Sequence, residues 1–245
     1  MFSLKNNTLS ELVTEDYRLA PVFKKYGIDY YCRGERTLQE VCESKNISSK
    51  ILVQDLQNAI AETDPKQLDF HSWSISELAC YIEEKHHSYI KNRAPKIIEN
   101  LFVLCKEYGD LRPELTCIME LFTKVFKKIE NHNNKERFVL FPYIRKMGNL
   151  IENKETIDCK YLGIIKIHSQ NIIQENNFEG QHFLEIRELC NNYAVQNKEC
   201  NAYKVVMELL NDFETKLELQ LHLENNLLYP KALEVEALLL KNRCF

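Results

Sequence analysis

With 245 residues, 44% of them apolar and 28% charged, the chain is long enough to bury a substantial core and too apolar to be disordered. Six Gly and six Pro are few for this length, which disfavours a turn-rich β architecture and predicts an all-α fold. A net charge of -4 with the two signs mixed gives no nucleic-acid footprint; with no apolar run long enough to span a bilayer and no signal-peptide order over Met1 to Asn7, the expected setting is cytoplasmic, away from membranes.

Three short helices are predicted first. One runs from Leu9 to Tyr26 and is closed by Gly27, one from Leu38 to Lys45 after a Thr37 cap, and one from Ser49 to Glu62 after Ser48. Together they make a small cysteine-bearing N-terminal domain, residues 1–62. Residues 63–75 carry turn chemistry, as in Thr63-Asp64-Pro65 and His71-Ser72, without helical periodicity, and read as a linker. Beyond it, four longer helical patterns span 76–108, 113–147, 160–194 and 199–241, joined by short connections such as Gly109-Asp110-Leu111-Arg112. That order predicts an antiparallel four-helix bundle over residues 76–245.

Within the bundle one pattern occurs twice. His132-Asn133-Asn134-Lys135-Glu136 runs into Phe138-Val139-Leu140-Phe141-Pro142, and Gln220-Leu221-His222-Leu223-Glu224 runs into Leu227-Leu228-Tyr229-Pro230. Glu136 and Glu224 each precede an apolar pair, an aromatic residue and a proline in the same register. His132 stands one helical turn before Glu136, so both project from one face. That face is apolar upstream: Leu115, Ile118, Met119, Phe122, Val125, Phe126 and Ile129 lead to His132 and Glu136, as Val206, Leu210, Phe213 and Leu217 lead to Gln220 and Glu224. Two carboxylates directed into a bundle core are costly unless a cation meets them, and a metal held by carboxylate and imidazole between facing helices answers that cost. For His132 alone, a hydrogen-bonded core histidine is the plainer reading; the repetition favours a metal site.

The segments His87 to Pro95, His132 to Pro142 and Glu224 to Pro230 resemble the hemerythrin-like domain of the RIC family, the di-iron proteins for repair of iron centres. Gly27-Ile28-Asp29-Tyr30-Tyr31-Cys32-Arg33-Gly34, continuing through Arg36 to Cys42, resembles the small domain that precedes the bundle in that family. The resemblance covers nearly the whole chain. It implies a non-heme di-iron centre held by four histidines and two bridging glutamates, and it implies a role in repairing iron-sulfur clusters damaged by oxidative or nitrosative stress. Iron-sulfur proteins are the implied partners, and a homodimer is left open. Carried over by position, His87 comes from the first bundle helix, His132 and Glu136 from the second, and Glu224 from the fourth. Asn176, four residues before Gly180, stands where the third-helix histidine belongs, and Gln220 stands where the fourth-helix histidine belongs. Their amide oxygens are weak donors beside imidazole, so both are expected as weak ligands in an incomplete two-iron site. His222 lies two residues past Gln220 and His182 six past Asn176, so both are expected on other faces, in a surface or supporting role rather than as ligands.

The small domain also departs from the family. Tyr31 occupies the first of two adjacent cysteine positions and leaves Cys32 without a vicinal thiol. In a Gly-containing turn beside Arg33, Cys32 is the candidate catalytic residue, where exposure and the cationic neighbour would favour thiolate, with Cys42 ten positions later as a thiol that could approach it; an unreactive thiol packing the small domain is the equal alternative. Most of the nine cysteines, an odd count without zinc-type spacing, are expected to be small buried hydrophobes. The leading expectation is a cytoplasmic non-heme iron protein for iron-sulfur cluster repair, more a metal-binding repair protein than a turnover enzyme. The alternative is a degenerate hemerythrin-like binding or sensing module with one metal, zinc included, or none, acting through protein contacts.

Overall fold

The computed structural model describes residues 7–61, 69–153, 163–196 and 200–241. Among these the regular elements are all helical, with one isolated bridge between Thr8 and Thr37, and the all-α expectation holds. The small domain contains α1 (Leu9–Glu15), α2 (Ala20–Lys25), α3 (Leu38–Lys45) and α4 (Ser49–Ala61). Thr8 and Thr37 open α1 and α3 with capping boxes closed by Glu11 and Glu40, an arrangement in which the cap residue contributes about 1 kcal/mol. The single helix expected from Leu9 to Tyr26 is broken. Asp16 is extended, its carboxylate accepts the Arg18 N–H at 3.0 Å, and α2 restarts with Pro21 in its first turn. Gly27 sits at φ +61° beyond α2, the left-handed conformation that suits a helix end.

Four rods follow. The first is α5 (Ile75–Tyr81), a π segment (Ile82–His87) and α6 (Ser88–Tyr108). The second is α7 (Glu114–Lys135), a π segment (Glu136–Leu140) and α8 (Phe141–Asn153); the third is α9 (Ile164–Leu189). The fourth is α10 (Asn201–His222), a π segment (Leu223–Leu228) and α11 (Tyr229–Lys241). α6 lies on α7 and α5 on α8, so the first two rods run antiparallel; α10 packs on α6 while α7, α10 and α11 pack on α9, which closes the bundle.

The π segments explain the repeated sequence. The Phe141 N–H returns to the Glu136 carbonyl, the Tyr229 N–H to Glu224, and the Ser88 N–H to Glu83, each a wide turn spanning five residues. In both copies a glutamate opens the turn, an aromatic residue closes it, and a proline follows at once. Proline lacks the N–H for a regular helical bond and its ring crowds the carbonyl four residues back, so a widened turn just before it relieves the clash.

Two apolar clusters flank the middle of the bundle. One gathers Ile75, Leu78, Ile82, Phe141, Ile144, Met147 and Leu228. The other joins Leu9, Phe23, Leu38 and Leu52 of the small domain to Leu101, Ile118, Phe122, Phe183 and Phe213 of the bundle. The small domain therefore shares its core with the bundle. Of the expected linker, residues 63–68 lie outside the described residues; Asp69 caps the 3-10 turn Phe70–Ser72, and Ser74 opens α5 with a capping box to Glu77. Among the described residues no helix is long and apolar enough to cross a membrane.

Candidate metal centre

A buried polar layer separates the two apolar clusters along the rods. His87 closes the first π segment, His132 sits in the last turn of α7, and Glu136 opens the second π segment. Asn176 and Glu179 project from α9, Gln220 from α10, and Glu224 from the third π segment. All seven are buried, with Glu136, Asn176, Gln220 and Glu224 fully removed from solvent. Wide π turns present His87, Glu136 and Glu224 from the places where the rods depart from regular α geometry, a recurrent association with functional sites.

His87 Nε2 lies 3.0 Å from Glu136 Oε2 and 3.8 Å from Glu224 Oε1. His132 Nε2 lies 3.2 Å from Glu136 Oε1 and 3.7 Å from Glu224 Oε2. Each carboxylate thus turns one oxygen toward each imidazole. Donor atoms of His87, Glu136 and Glu224 all fall within 4.8 Å of one another, close enough to share an ion. His86, the neighbour of His87, points elsewhere, with Nδ1 3.1 Å from the Lys216 carbonyl oxygen.

Burial opposes charge on His87, but the nearby Glu136 and Glu224 carboxylates raise its pKa to about 9. Burial likewise opposes charge on His132, and Glu136, Glu179 and Glu224 together raise it to about 10. Burial pushes the Glu136 carboxyl up, yet the two imidazoles outweigh it and hold Glu136 below the usual carboxylate range. Glu224 is raised by burial first and then by Glu136. Without a cation, protons on the imidazoles are what offsets the carboxylates, and a bound cation would displace them.

The two weak-ligand candidates are placed in the layer but turn their amides to protein groups. Asn176 Nδ2 donates to Glu224 Oε2 at 3.1 Å and to Asn225 Oδ1 at 2.7 Å, while Gln220 Nε2 donates to Asn133 Oδ1 at 3.0 Å. The orientation of Asn176 follows from its neighbours: Asn225 donates its own amide to the Tyr31 carbonyl oxygen at 3.0 Å, which leaves the Asn225 oxygen to accept. Of the alternative histidines, His182 stacks on Phe178 and bonds its carbonyl, and His222 is buried against Tyr17 and Tyr30 of the small domain.

Of the two readings of Cys32, the surroundings favour the unreactive, packed thiol. Its Sγ is turned inward, donating to the Asn176 carbonyl oxygen at 3.3 Å, and burial, with Asp29 adding to it, raises the thiol pKa well above its ordinary value despite Arg33. A thiolate is therefore disfavoured there. Cys42 is buried in the small domain, and both thiols are free. The approach of Cys32 to α9 depends on Gly180, where a Cβ would meet Cys32 Sγ at 2.8 Å and the Tyr31 ring at 2.8 Å.

Two participants were not anticipated. Tyr229 donates its hydroxyl to Glu136 Oε1; the repeat marked it as the recurrent aromatic residue, without a sign of that bond. Glu179 is buried with both carboxylate oxygens lacking a hydrogen bond, 3.5 Å from His132 Nδ1, and burial above all raises its pKa to about 8. Its spacing of three from Asn176, one face of α9, was the available signal.

Residues 5–60 match the family ScdA_N, described as a domain of unknown function (DUF542). The chain is 24% identical over 227 residues to the iron-sulfur cluster repair protein ScdA of Staphylococcus haemolyticus, covering 91% of this chain and 96% of that relative. It is 24% identical over 233 residues to the iron-sulfur cluster repair protein YtfE of Escherichia coli, covering 95% and 99%. An N-terminal ScdA_N match and a likeness to repair proteins along nearly the full length thus bear out the family resemblance seen in the sequence.

Proposed function

We propose that this protein is an iron-sulfur cluster repair protein that works through non-heme iron held in a hemerythrin-like bundle, in the cytoplasm, on clusters damaged by oxidative or nitrosative stress. The names of its relatives support the repair role, and the buried layer supports the metal. The observation that carries the metal is a set of orphans: His87 Nε2, Glu136 Oε2 and Glu224 Oε1 are buried, converge within 4.8 Å, and lack hydrogen-bond partners. An unsatisfied buried polar atom costs on the order of 1–3 kcal/mol, more if charged, so three aimed at one point call for a cation. Imidazole with carboxylate suits ferrous iron, which when bound supplies a redox-active Lewis acid. Around it, π turns fix the carboxylates, the apolar clusters restrict water, and Cys32 lies over the Asn176 turn of α9. Iron-sulfur proteins are the partners.

Thermal melting with and without ferrous iron under anaerobic conditions, or zinc, tests this reading. The parent melts higher with metal, because only the folded state offers the site, and Glu136→Gln shows a smaller shift. An equal shift in both proteins removes Glu136 from the site.

A further inference from the structure

The geometry points to a centre that takes one ion in a frame built for two. This rests on the metal reading above and concerns how many ions the site accepts. Each bridging carboxylate has one oxygen on the His87 side and one on the His132 side. The two sides differ in what already meets those oxygens. On the His87 side, Glu136 Oε2 and Glu224 Oε1 accept no hydrogen bond, while the ring nitrogens of His87 and His132 are alike in making none. On the His132 side, Glu136 Oε1 accepts the Tyr229 hydroxyl and Glu224 Oε2 accepts the Asn176 amide.

Asn176 is decisive because of which end of its amide it presents. Its two N–H groups are committed to Glu224 and Asn225, and Asn225 is held in that sense by the Tyr31 carbonyl. Toward Glu224, where a second ion would need a lone pair, Asn176 presents its N–H end, and its oxygen is buried without a partner. Gln220 is likewise committed through its N–H to Asn133. His132 has carboxylate oxygens beside both ring nitrogens, Glu136 at 3.2 Å on one and Glu179 at 3.5 Å and Glu175 at 3.6 Å on the other. The Tyr229 hydroxyl and the Asn176 amide therefore already meet, as protein donors, the two carboxylate oxygens that a second cation would need. His87, Glu136 and Glu224 hold the single ion.

Anaerobic titration of the full chain with ferrous iron, and with manganese(II) read by electron paramagnetic resonance, tests this. The expected result is about one equivalent per chain and the six-line signal of an isolated manganese ion. His87→Gln loses tight binding by at least tenfold, whereas His132→Gln still binds one equivalent. Asn176→His with Gln220→His binds about two equivalents and shows a spin-coupled manganese pair. Two equivalents and a coupled pair in the parent overturn the one-ion centre and leave the metal reading intact. Binding of neither ion by the parent overturns both. Circular dichroism of each variant separates loss of a ligand from loss of fold, and the parent stoichiometry decides the question if a variant fails to fold.

Discussion

At the scale of single residues, the layer depends less on which groups are present than on which end of each group is exposed. Asn176 and Gln220 were legible as departures from an imidazole set through the family resemblance, and Glu136 and Glu224 as core-facing carboxylates because helical periodicity fixes the face on which a side chain stands. Periodicity does not fix the rotation of an amide, which here is set by the Tyr31 carbonyl far away in the chain. The same limit applies to Cys32. Its neighbours in sequence suggested an exposed thiolate, while the fold covers it with α9. Nor are the cysteines mostly buried: of the free thiols described, Cys42 and Cys190 are buried, whereas Cys80 and Cys117 are exposed. In the folded protein, alkylation followed by mass spectrometry should modify Cys80 and Cys117 first and Cys32 at least tenfold more slowly, since the thiolate is the reactive form. Equal rates at Cys32 and Cys80 would show that Cys32 is open to solvent and ionises normally.

At the scale of elements, the face of α10 that carries Glu218 and His222, expected only to be turned from the site, is covered by the small domain. Arg187 of α9 binds Glu214 through Nε at 2.9 Å and also reaches Glu218, while Lys24 of α2 meets the same two carboxylates at 3.2 and 3.3 Å. Two cations and two carboxylates from three helices thus fasten the small domain to the bundle. Burial first, and then Glu214, raises Glu218 to about 7 against the pull of Lys24 and Arg187. Its folded state therefore holds a proton that the unfolded chain gives up from about pH 4.5. Between those values the native protein binds more protons than the unfolded one, so this group's contribution to stability falls as pH rises through the window, by at most about 1.4 kcal/mol per unit. Glu218→Gln should flatten the change in urea midpoint between pH 5 and pH 8 relative to the parent. Identical pH slopes in the two proteins would place the proton elsewhere. The long rods themselves were legible to within a few residues at most ends, since each carries a continuous apolar stripe. The π segments were not, because the proline that calls for a wider turn is equally compatible with a kink.

At the scale of the whole molecule, the sequence suggested two units and a linker, and the apolar packing joins them. Leu9, Phe23, Leu38 and Leu52 belong to the same cluster as Phe122, Phe183 and Phe213, and Asn225 and Asn226 donate to the Tyr31 and Tyr30 carbonyls across the boundary. A small domain of this size cannot bury a large core alone, so the bundle completes it. Calorimetry should therefore show one cooperative unfolding transition for the full chain, with the calorimetric and van't Hoff enthalpies in agreement. Two resolved transitions would mean that the shared cluster does not couple the parts.

The three π turns can also be counted as inserted residues. Each adds one residue to a rod without adding a full turn, so everything beyond it is rotated by about 100° relative to an unbroken α-helix. Phe141, Ile144 and Met147 face the core only because that residue is present before them. Removing a single residue between Arg137 and Val139 would restore regular helical bonding yet swing this apolar face out of the bundle and carry Pro142 into a turn too narrow for it. The rods that hold Glu136 and Glu224 thus tolerate substitution in the turn more readily than a change of length. Only α9, unbroken from Ile164 to Leu189, is free of that constraint, and it is the rod in which the expected histidine has become Asn176.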